Sequence, residues 1–394
     1  MKRKLAVITT HPIQYQTPIW RLLAQCPEID IRVYFGSDFS VRGCWDNEFG
    51  ANFAWDTPLT EGYSHTFLST DLRTNSPWNL KLNIAEFKRQ LYEFQADYAL
   101  LNGYTPFLFY LKALIIIRLL RIPVIMRAEA TDEAIERSAA KAAVRYGLLR
   151  VAYSQIEKFL AVGYNSRRHY LSKGVPENKI FFSPYNIDSD LFKRQAQEWL
   201  PRRTDIRQEL GFGPEQFIFL YSGKLIAKKD PLTMVEGFRR LAEISNGTVG
   251  LIVMGEGHLR QQFETEMRSI PGVRTVFIGF QNQSKVGRFY SAADCLILSS
   301  LWGETWGLVV NEALQFGIPA IVSSRVGCRH DLIVEGETGF IFPVGDGKAL
   351  AEKMAKAMEM MKFGRTHVRD ACLRKASEYS LQKAVSGIRE AVNH

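Results

Sequence analysis

The chain has 394 residues, enough for two domains at roughly 100–200 residues each. With 46% hydrophobic and 23% charged residues it lies near the average for folded globular proteins, which excludes a disordered, collagen-like or coiled-coil chain. A net charge of +9 points to an anionic partner or substrate. Five scattered cysteines (Cys26, Cys44, Cys295, Cys328, Cys372) with no CxxC pair argue against a disulfide framework or zinc cage and suit a reducing compartment.

Met1-Lys2-Arg3-Lys4 is basic, but only Leu5 to Ile8 follow as an apolar run, against the about 7–15 residues of a signal peptide. The start reads as cytoplasmic and leads into a strand over Leu5 to Thr9. A helix over Thr17 to Gln25, a strand over Asp30 to Phe35, a helix over Ile84 to Phe94 and a strand over Asp97 to Leu101 follow. Phe107 to Leu120 is helical; Lys112 and Arg118 interrupt it, so it falls short of a membrane span. Pro123 to Met126 and Lys158 to Val162 read as further strands, the second followed by Asn165 as a helix cap.

Ser183 to Asp188 is turn-rich, and Phe192 to Thr204 is polar and charged. From Phe217 the alternation restarts, with strands at Phe217 to Tyr221, Gly250 to Met254, Thr275 to Ile278, Cys295 to Leu298 and Ala320 to Val322. This βαβ rhythm predicts an α/β chain of two Rossmann-like domains, with parallel sheets covered by helices and a cleft between them. The boundaries fall at 1–186, 187–370 and 371–394, the last a helix, Leu381 to Val392, that crosses back onto the first domain.

Charge is concentrated. Between Lys112 and Lys173 twelve Lys/Arg stand against five Asp/Glu. No zinc-finger spacing, RNP-type strand or basic repeat accompanies them, which disfavours nucleic acid. A solvated helical face and a contact with anionic membrane through 107–173 remain the two readings, the second making the protein peripheral on the inner face of a membrane.

The sharpest motif is Glu304-Thr-Trp-Gly-Leu-Val-Val-Asn-Glu312. It follows the strand Cys295 to Leu298, and a helix should begin near Gly307, so the amides of Gly307, Leu308 and Val309 offer an anion site flanked by two carboxylates. Upstream, Gly223-Lys224-Leu225 ends a strand and Lys229 opens the next helix, placing two ammonium groups where they can converge on a diphosphate. Gly255-Glu256-Gly257 is a tight turn after another strand, too short for a full GxGxxG signature. Phe280 ends the next strand as an aromatic able to flank a base. In the first domain His11 and Gln14 follow the first strand and Arg127 and Glu129 the strand at 123–126; all four are candidates for the cleft floor. Asp188-Ser189-Asp190 has a DxD form but reads as a hinge cap rather than a metal site.

Taken together, Gly223-Lys224-Leu225, Lys229-Asp230, Gly255-Glu256-Gly257, Gly279-Phe280 and Glu304-x7-Glu312 resemble glycosyltransferase family 4, with its GT-B fold. The likeness is dense from about 217 to 345 and looser in the first half, through Thr10 to Tyr15 and Ala161 to Asn165. It implies a retaining, metal-independent glycosyltransferase using a nucleotide-diphosphate sugar, UDP or GDP favoured, and no bound cofactor. The acceptor is a glycan, a lipid-linked molecule or a small molecule, read by loops such as Asp38 to Thr60. By that resemblance Lys224 and Lys229 bind the diphosphate together with the amides of 307–309, Glu312 the ribose, Glu304 the transferred sugar, and Phe280 the base. Gly223, Gly255 and Glu256 complete the donor side, and His11 joins Lys224, Lys229 and Glu304 as catalytic. Lys224 stands where the family more often has arginine, Asp230 where it has glycine, and His11-Pro12-Ile13-Gln14-Tyr15 where many members carry a glycine pair. A catalytically silent nucleotide-sugar-binding subunit and a GT-B nucleotide-sugar epimerase are the alternatives. The sequon Asn246-Gly-Thr248 is without meaning in a cytoplasmic protein.

Overall fold

A computed structural model of the chain describes residues 2–41, 44–46, 51–53, 55–68, 80, 82–133, 138–244 and 249–394. The sequon at 246–248 and part of the 38–60 acceptor loop lie outside these residues. In chain order the first half runs β1 (Arg3–Thr9), α1 (Thr17–Ala24), β2 (Ile29–Phe35), β3 (Cys44–Asp46), β4 (Ala51–Phe53), β5 (Ser64–Phe67) and α2 (Ile84–Phe94). It continues with β6 (Tyr98–Asn102), α3 (Phe107–Leu119), β7 (Val124–Ala128), α4 (Ala139–Tyr153), β8 (Lys158–Ala161), α5 (Tyr164–Ser172) and β9 (Ile180–Phe182). The second half runs α6 (Ser189–Trp199), α7 (Arg203–Glu209), β10 (Phe217–Ser222), α8 (Pro231–Ile244), β11 (Val249–Met254), α9 (Arg260–Arg268) and β12 (Val273–Gly279). Then come α10 (Gly287–Ala292), β13 (Cys295–Leu298), α11 (Leu308–Gln315), β14 (Ala320–Ser323), α12 (Arg329–Leu332), β15 (Gly339–Phe342), α13 (Gly347–Glu378) and α14 (Leu381–Asn393).

Among the described residues the strands form two parallel sheets, β5-β2-β1-β6-β7-β8-β9 and β12-β11-β10-β13-β14-β15, with β3 and β4 as a separate antiparallel pair. Strands in such sheets are apolar on both sides because helices cover both faces. Along β1 the side chains split accordingly: Leu5 and Val7 enter one core with α1 and α14, Ala6 and Ile8 the other with α2 and α3. The second sheet divides the same way, with Ile218 and Leu220 of β10 on one side and Phe219 and Tyr221 on the other. Both strand orders reverse direction beside their first strand, so the crevices open at the carboxyl ends of β1 and β6 and of β10 and β13. That geometry sets the candidate site.

Three details depart from the sequence reading. Phe192 to Thr204, which the sequence marks only as polar and charged, is largely helical: α6 and the start of α7 occupy it, with Asp188 capping α6 by accepting from the Leu191 amide at 3.1 Å. Asn165 is not a cap but lies inside α5, which starts after Gly163 and sends the Asn165 amide group to the Gly327 carbonyl at 3.2 Å. Residues 371–378 continue α13, which only kinks at Gly364. The chain leaves the second domain at Tyr379, and Ser380 caps α14 through the Lys383 amide. α14 then packs on the first sheet, where a Cβ on Gly387 would come within 1.9 Å of the Phe182 carbonyl oxygen.

Candidate functional site

The second domain supplies most of the charged groups. Gly223, Gly255 and Gly279 end or follow adjacent strands and stitch them together: the Gly223 amide donates to Met254 at 2.9 Å and the Gly255 amide to Gly279 at 3.0 Å. A Cβ on Gly255 would stand 1.8 Å from the Gly223 carbonyl oxygen, so this turn demands glycine. Glu256 beside it pairs with Arg260 at the start of α9. Lys224 and Phe280 are both half-buried, at the ends of β10 and β12 respectively.

Lys229 sits in a tight turn between β10 and α8. Asp230 follows it at φ 48°, the left-handed conformation that glycine adopts most freely and aspartate tolerates. The Ser299 hydroxyl lies 2.8 Å from the carbonyl oxygens of both Lys229 and Asp230, fixing that turn to the end of β13. The Lys229 ammonium forms an ion pair with Glu304, which also accepts from the Ser300 hydroxyl at 2.9 Å. Burial would raise the Glu304 carboxyl, but Lys229 and Ser300 outweigh it and hold Glu304 below the usual carboxylate range. An ammonium has three donors, so the pair aims Lys229 without exhausting it.

Gly307 caps α11 at φ 107°, and the first helical amides, Leu308 and Val309, have no carbonyl within their own helix to bond. Glu312, one turn in, accepts from the Tyr290 hydroxyl at 2.7 Å, and burial pushes its carboxyl up to about 7. Trp306 is buried, its indole donating to Asn311 at 2.7 Å, which anchors the loop between the two glutamates.

The first domain faces this array with β1 and β7. His11 lies 3.0 Å from the Thr10 hydroxyl through Nδ1 and meets the Phe39 ring edge-on; burial drops its imidazole to about 4, so it is neutral at pH 7. Gln14 is half-buried on the same loop. Glu129 reaches across to the loop that carries Glu304. It accepts from the Thr305 hydroxyl, next to Glu304, and from Tyr185, whose hydroxyl is also 2.9 Å from that of Tyr15. Burial raises the Glu129 carboxyl, with Glu304 adding to the effect and Thr305 and Arg127 opposing it.

Arg127 corrects the sequence reading. It is buried and spends its guanidinium on Ser183 (3.1 Å), Asn102 (3.4 Å) and the Pro184 carbonyl (3.0 Å), with the Tyr185 ring 5.8 Å away. Burial lowers it to about 10. It braces the crossover between the domains and is not presented to an acceptor. Sequence reasoning missed Thr305, Tyr185, Tyr290 and Lys228, the last a cation acting on both Glu304 and Glu129. Of these only Thr305 lay inside a motif singled out above, and Lys228 directly precedes the Lys229 of another.

The cleft is spanned elsewhere too: the Asp56 amide donates to Asn282 at 3.4 Å, the Tyr164 amide to Asp331 at 2.8 Å, and Arg329 pairs with Glu133 at 2.6 Å. Chemically the site offers three lysines (Lys224, Lys228 and Lys229), free helix amides and the carboxylates of Glu129, Glu304 and Glu312 in distinct protonation environments. That suits holding a polyanion beside a polyol.

Residues 202–369 match the family described as glycosyl transferases group 1. N-acetyl-alpha-D-glucosaminyl L-malate synthase of Bacillus anthracis is 26% identical over 228 residues, 56% of this chain and 54% of the relative. A Campylobacter jejuni alpha-1,4-N-acetyl-D-galactosaminyltransferase, named for a diNAcBac-PP-undecaprenol-linked glycan, is 25% identical over 224 residues, 57% and 56% of the two chains. The chain thus spans about half the length of the curated relatives it matches. The Anabaena protein HepE, solved with UDP and glucose, superposes with a TM-score of 0.68 at 15% identity over 99% of both chains. The fold is GT-B.

Proposed function

We propose, from the premise that residues 202–369 are a glycosyl transferases group 1 domain within a GT-B fold, that the chain transfers a sugar from a nucleotide-diphosphate donor, with retention at the anomeric carbon. The observation that carries this reading is the Lys229–Glu304 pair, held by Ser299 and Ser300 beside the free amides of α11 at the reversal point of the second sheet. A diphosphate seated there meets Lys224, Lys229 and the amides of Leu308 and Val309, and its growing negative charge as leaving group is what such fixed donors stabilise. As Lys229 turns toward the diphosphate it releases part of Glu304, whose carboxylate then receives hydroxyls of the transferred sugar. Glu312 takes the ribose hydroxyls, and Phe280 flanks the base.

The neighbour solved with UDP and glucose supports a nucleotide-sugar donor and, of the two nucleotides favoured by the sequence, UDP. The Campylobacter relative supports a lipid-linked glycan as acceptor. On the first-domain side Glu129 and neutral His11 are the groups we assign to the acceptor and the sugar, with Gln14 beside them.

The test is thermal stabilisation by UDP, GDP, ADP, CMP and dTDP, with and without chelator, followed by turnover of the matching sugar donors. A ligand at about 100 times its dissociation constant adds roughly 2.7 kcal/mol, a readily measured shift. One diphosphate should stabilise the protein regardless of chelator, and its sugar should be consumed. Stabilisation without turnover on any acceptor would reassign the chain as a nucleotide-sugar-binding subunit; no stabilisation by any of the five would overturn the donor site.

A further inference from the structure

We propose that the protein seats on an anionic lipid bilayer through the outer faces of α3 and α4. The claim stands apart from the transferase reading, since it rests on a surface outside the cleft.

α4 is a fifteen-residue helix of which only Tyr153 is fully buried. Its Val144, Leu148 and Val151 are 66–69% exposed and sit at i, i+4 and i+7, one stripe along the helix. α3 turns Ala113, Ile116 and Ile117 into the core. Its Phe107, Leu108, Ile115 and Leu119 stand 51–72% exposed instead. Both helices pack into the same core cluster, so both lie on the same face of the first sheet. Large apolar side chains concentrated this way on a folded surface mark an interaction site.

The charges decide what interacts. The two helices carry Lys112, Arg118, Lys141, Arg145 and Arg150 and no Asp or Glu. A second copy docking symmetrically would bring like charges together. An anionic surface satisfies both properties at once, apolar residues entering the acyl boundary and cations meeting phosphates. No helix among the described residues is long and apolar enough to cross a membrane, so the helices would lie in the interface. Arg145 is committed to Asp132 at 2.6 Å, in the loop that begins with Glu129, so the seated face adjoins the first-domain lip of the cleft.

The experiment is flotation of the full-length protein with vesicles of 70:30 phosphatidylcholine:phosphatidylglycerol and of pure phosphatidylcholine. Wild type should float with the anionic vesicles and far less with the neutral ones. Lys141→Ala should weaken the anionic binding about fivefold, the effect of about 1 kcal/mol per basic residue at such a surface. Leu148→Glu with Val151→Glu should lower it at least tenfold, and Leu108→Glu with Leu119→Glu should do the same from the other helix. All these positions are exposed, so an unchanged melting temperature certifies the fold of each variant. Absence of flotation, equal binding to both vesicle types, or binding indifferent to both double variants would overturn the proposal. So would sedimentation showing a dimer that Leu148→Glu with Val151→Glu dissociates, because the face would then be covered by a second copy.

Discussion

Glu304 and Glu312 are eight residues apart in one motif and live in opposite electrostatic worlds. Glu304 stays charged because Lys229 and Ser300 surround it; Glu312 has only the Tyr290 hydroxyl, and burial brings its carboxyl to about 7. Lys229→Ala therefore removes a cation from both the resting pair and the leaving group, and kcat in a donor-turnover assay should fall by about tenfold or more. For Glu312 the sign runs through proton release. Ribose hydroxyls donate to the carboxylate, so nucleotide binding favours the ionised form and must expel the proton when pH is below about 7. Titration calorimetry should show the dissociation constant rising toward about tenfold per pH unit below 7, and Glu312→Gln should flatten that dependence while weakening binding at pH 8. The same raised value costs stability. The folded state's advantage from Glu312 is present below its ordinary value of 4.5 and lost as pH rises through about 7. Glu312→Gln should accordingly melt higher than wild type at pH 8 and level with it at pH 4.5.

At the scale of elements, the sequence was most readable where local rules and tertiary structure agree. The strand β13, the loop to Gly307 and the start of α11 follow from an apolar run, a glycine with φ 107° and helical spacing. The turn at Gly255 was recognised as tight, but the reason lies across the sheet, in the Gly223 carbonyl against which it packs. Gly255→Ala should cost about 2 kcal/mol or more in denaturant unfolding, because backbone cannot step aside as a side chain can. Gly364→Ala, where nothing lies within 4 Å and φ is −138°, should stay within about 0.5 kcal/mol. α4 escaped the sequence reading altogether. Its apolar stripe faces away from the core, so the periodicity that betrays a core-facing helix was diluted by alanines and cations. Thr305, Tyr185 and Tyr290 were invisible for another reason: each matters through a contact with a distant segment, and no local pattern encodes which segment that will be.

Seen whole, the molecule is two α/β domains whose chain crosses between them twice, at Ser183 to Asp188 and again at Tyr379 to Leu381. The first crossing is braced by Arg127 and leads through Tyr185 to Glu129, so the link between domains and the first-domain carboxylate of the cleft share one set of bonds. The second crossing makes the first domain discontinuous in sequence. α14 packs on α1, β8 and β9 and buries Leu381, Val385, Ile388 and Val392 in the same core as Leu5, Val7, Ile19 and Leu160, and the Lys158 ammonium holds the Ala391 carbonyl at 2.8 Å. At about 1.5–3 kcal/mol for each large side chain buried, those four contribute roughly 6–12 kcal/mol. That approaches the whole stability of a domain, about 5–15 kcal/mol. Truncation after Ser380 should therefore unfold the first domain while sparing the second, whose two cores contain no α14 residue. Calorimetry of the truncated chain should lose the first-domain transition, and the surviving transition should still move upward with the nucleotide that stabilises the full-length protein. A truncated chain that keeps both transitions would mean that residues 1–182 close their own core. The C-terminal helix would then tether the domains rather than complete one.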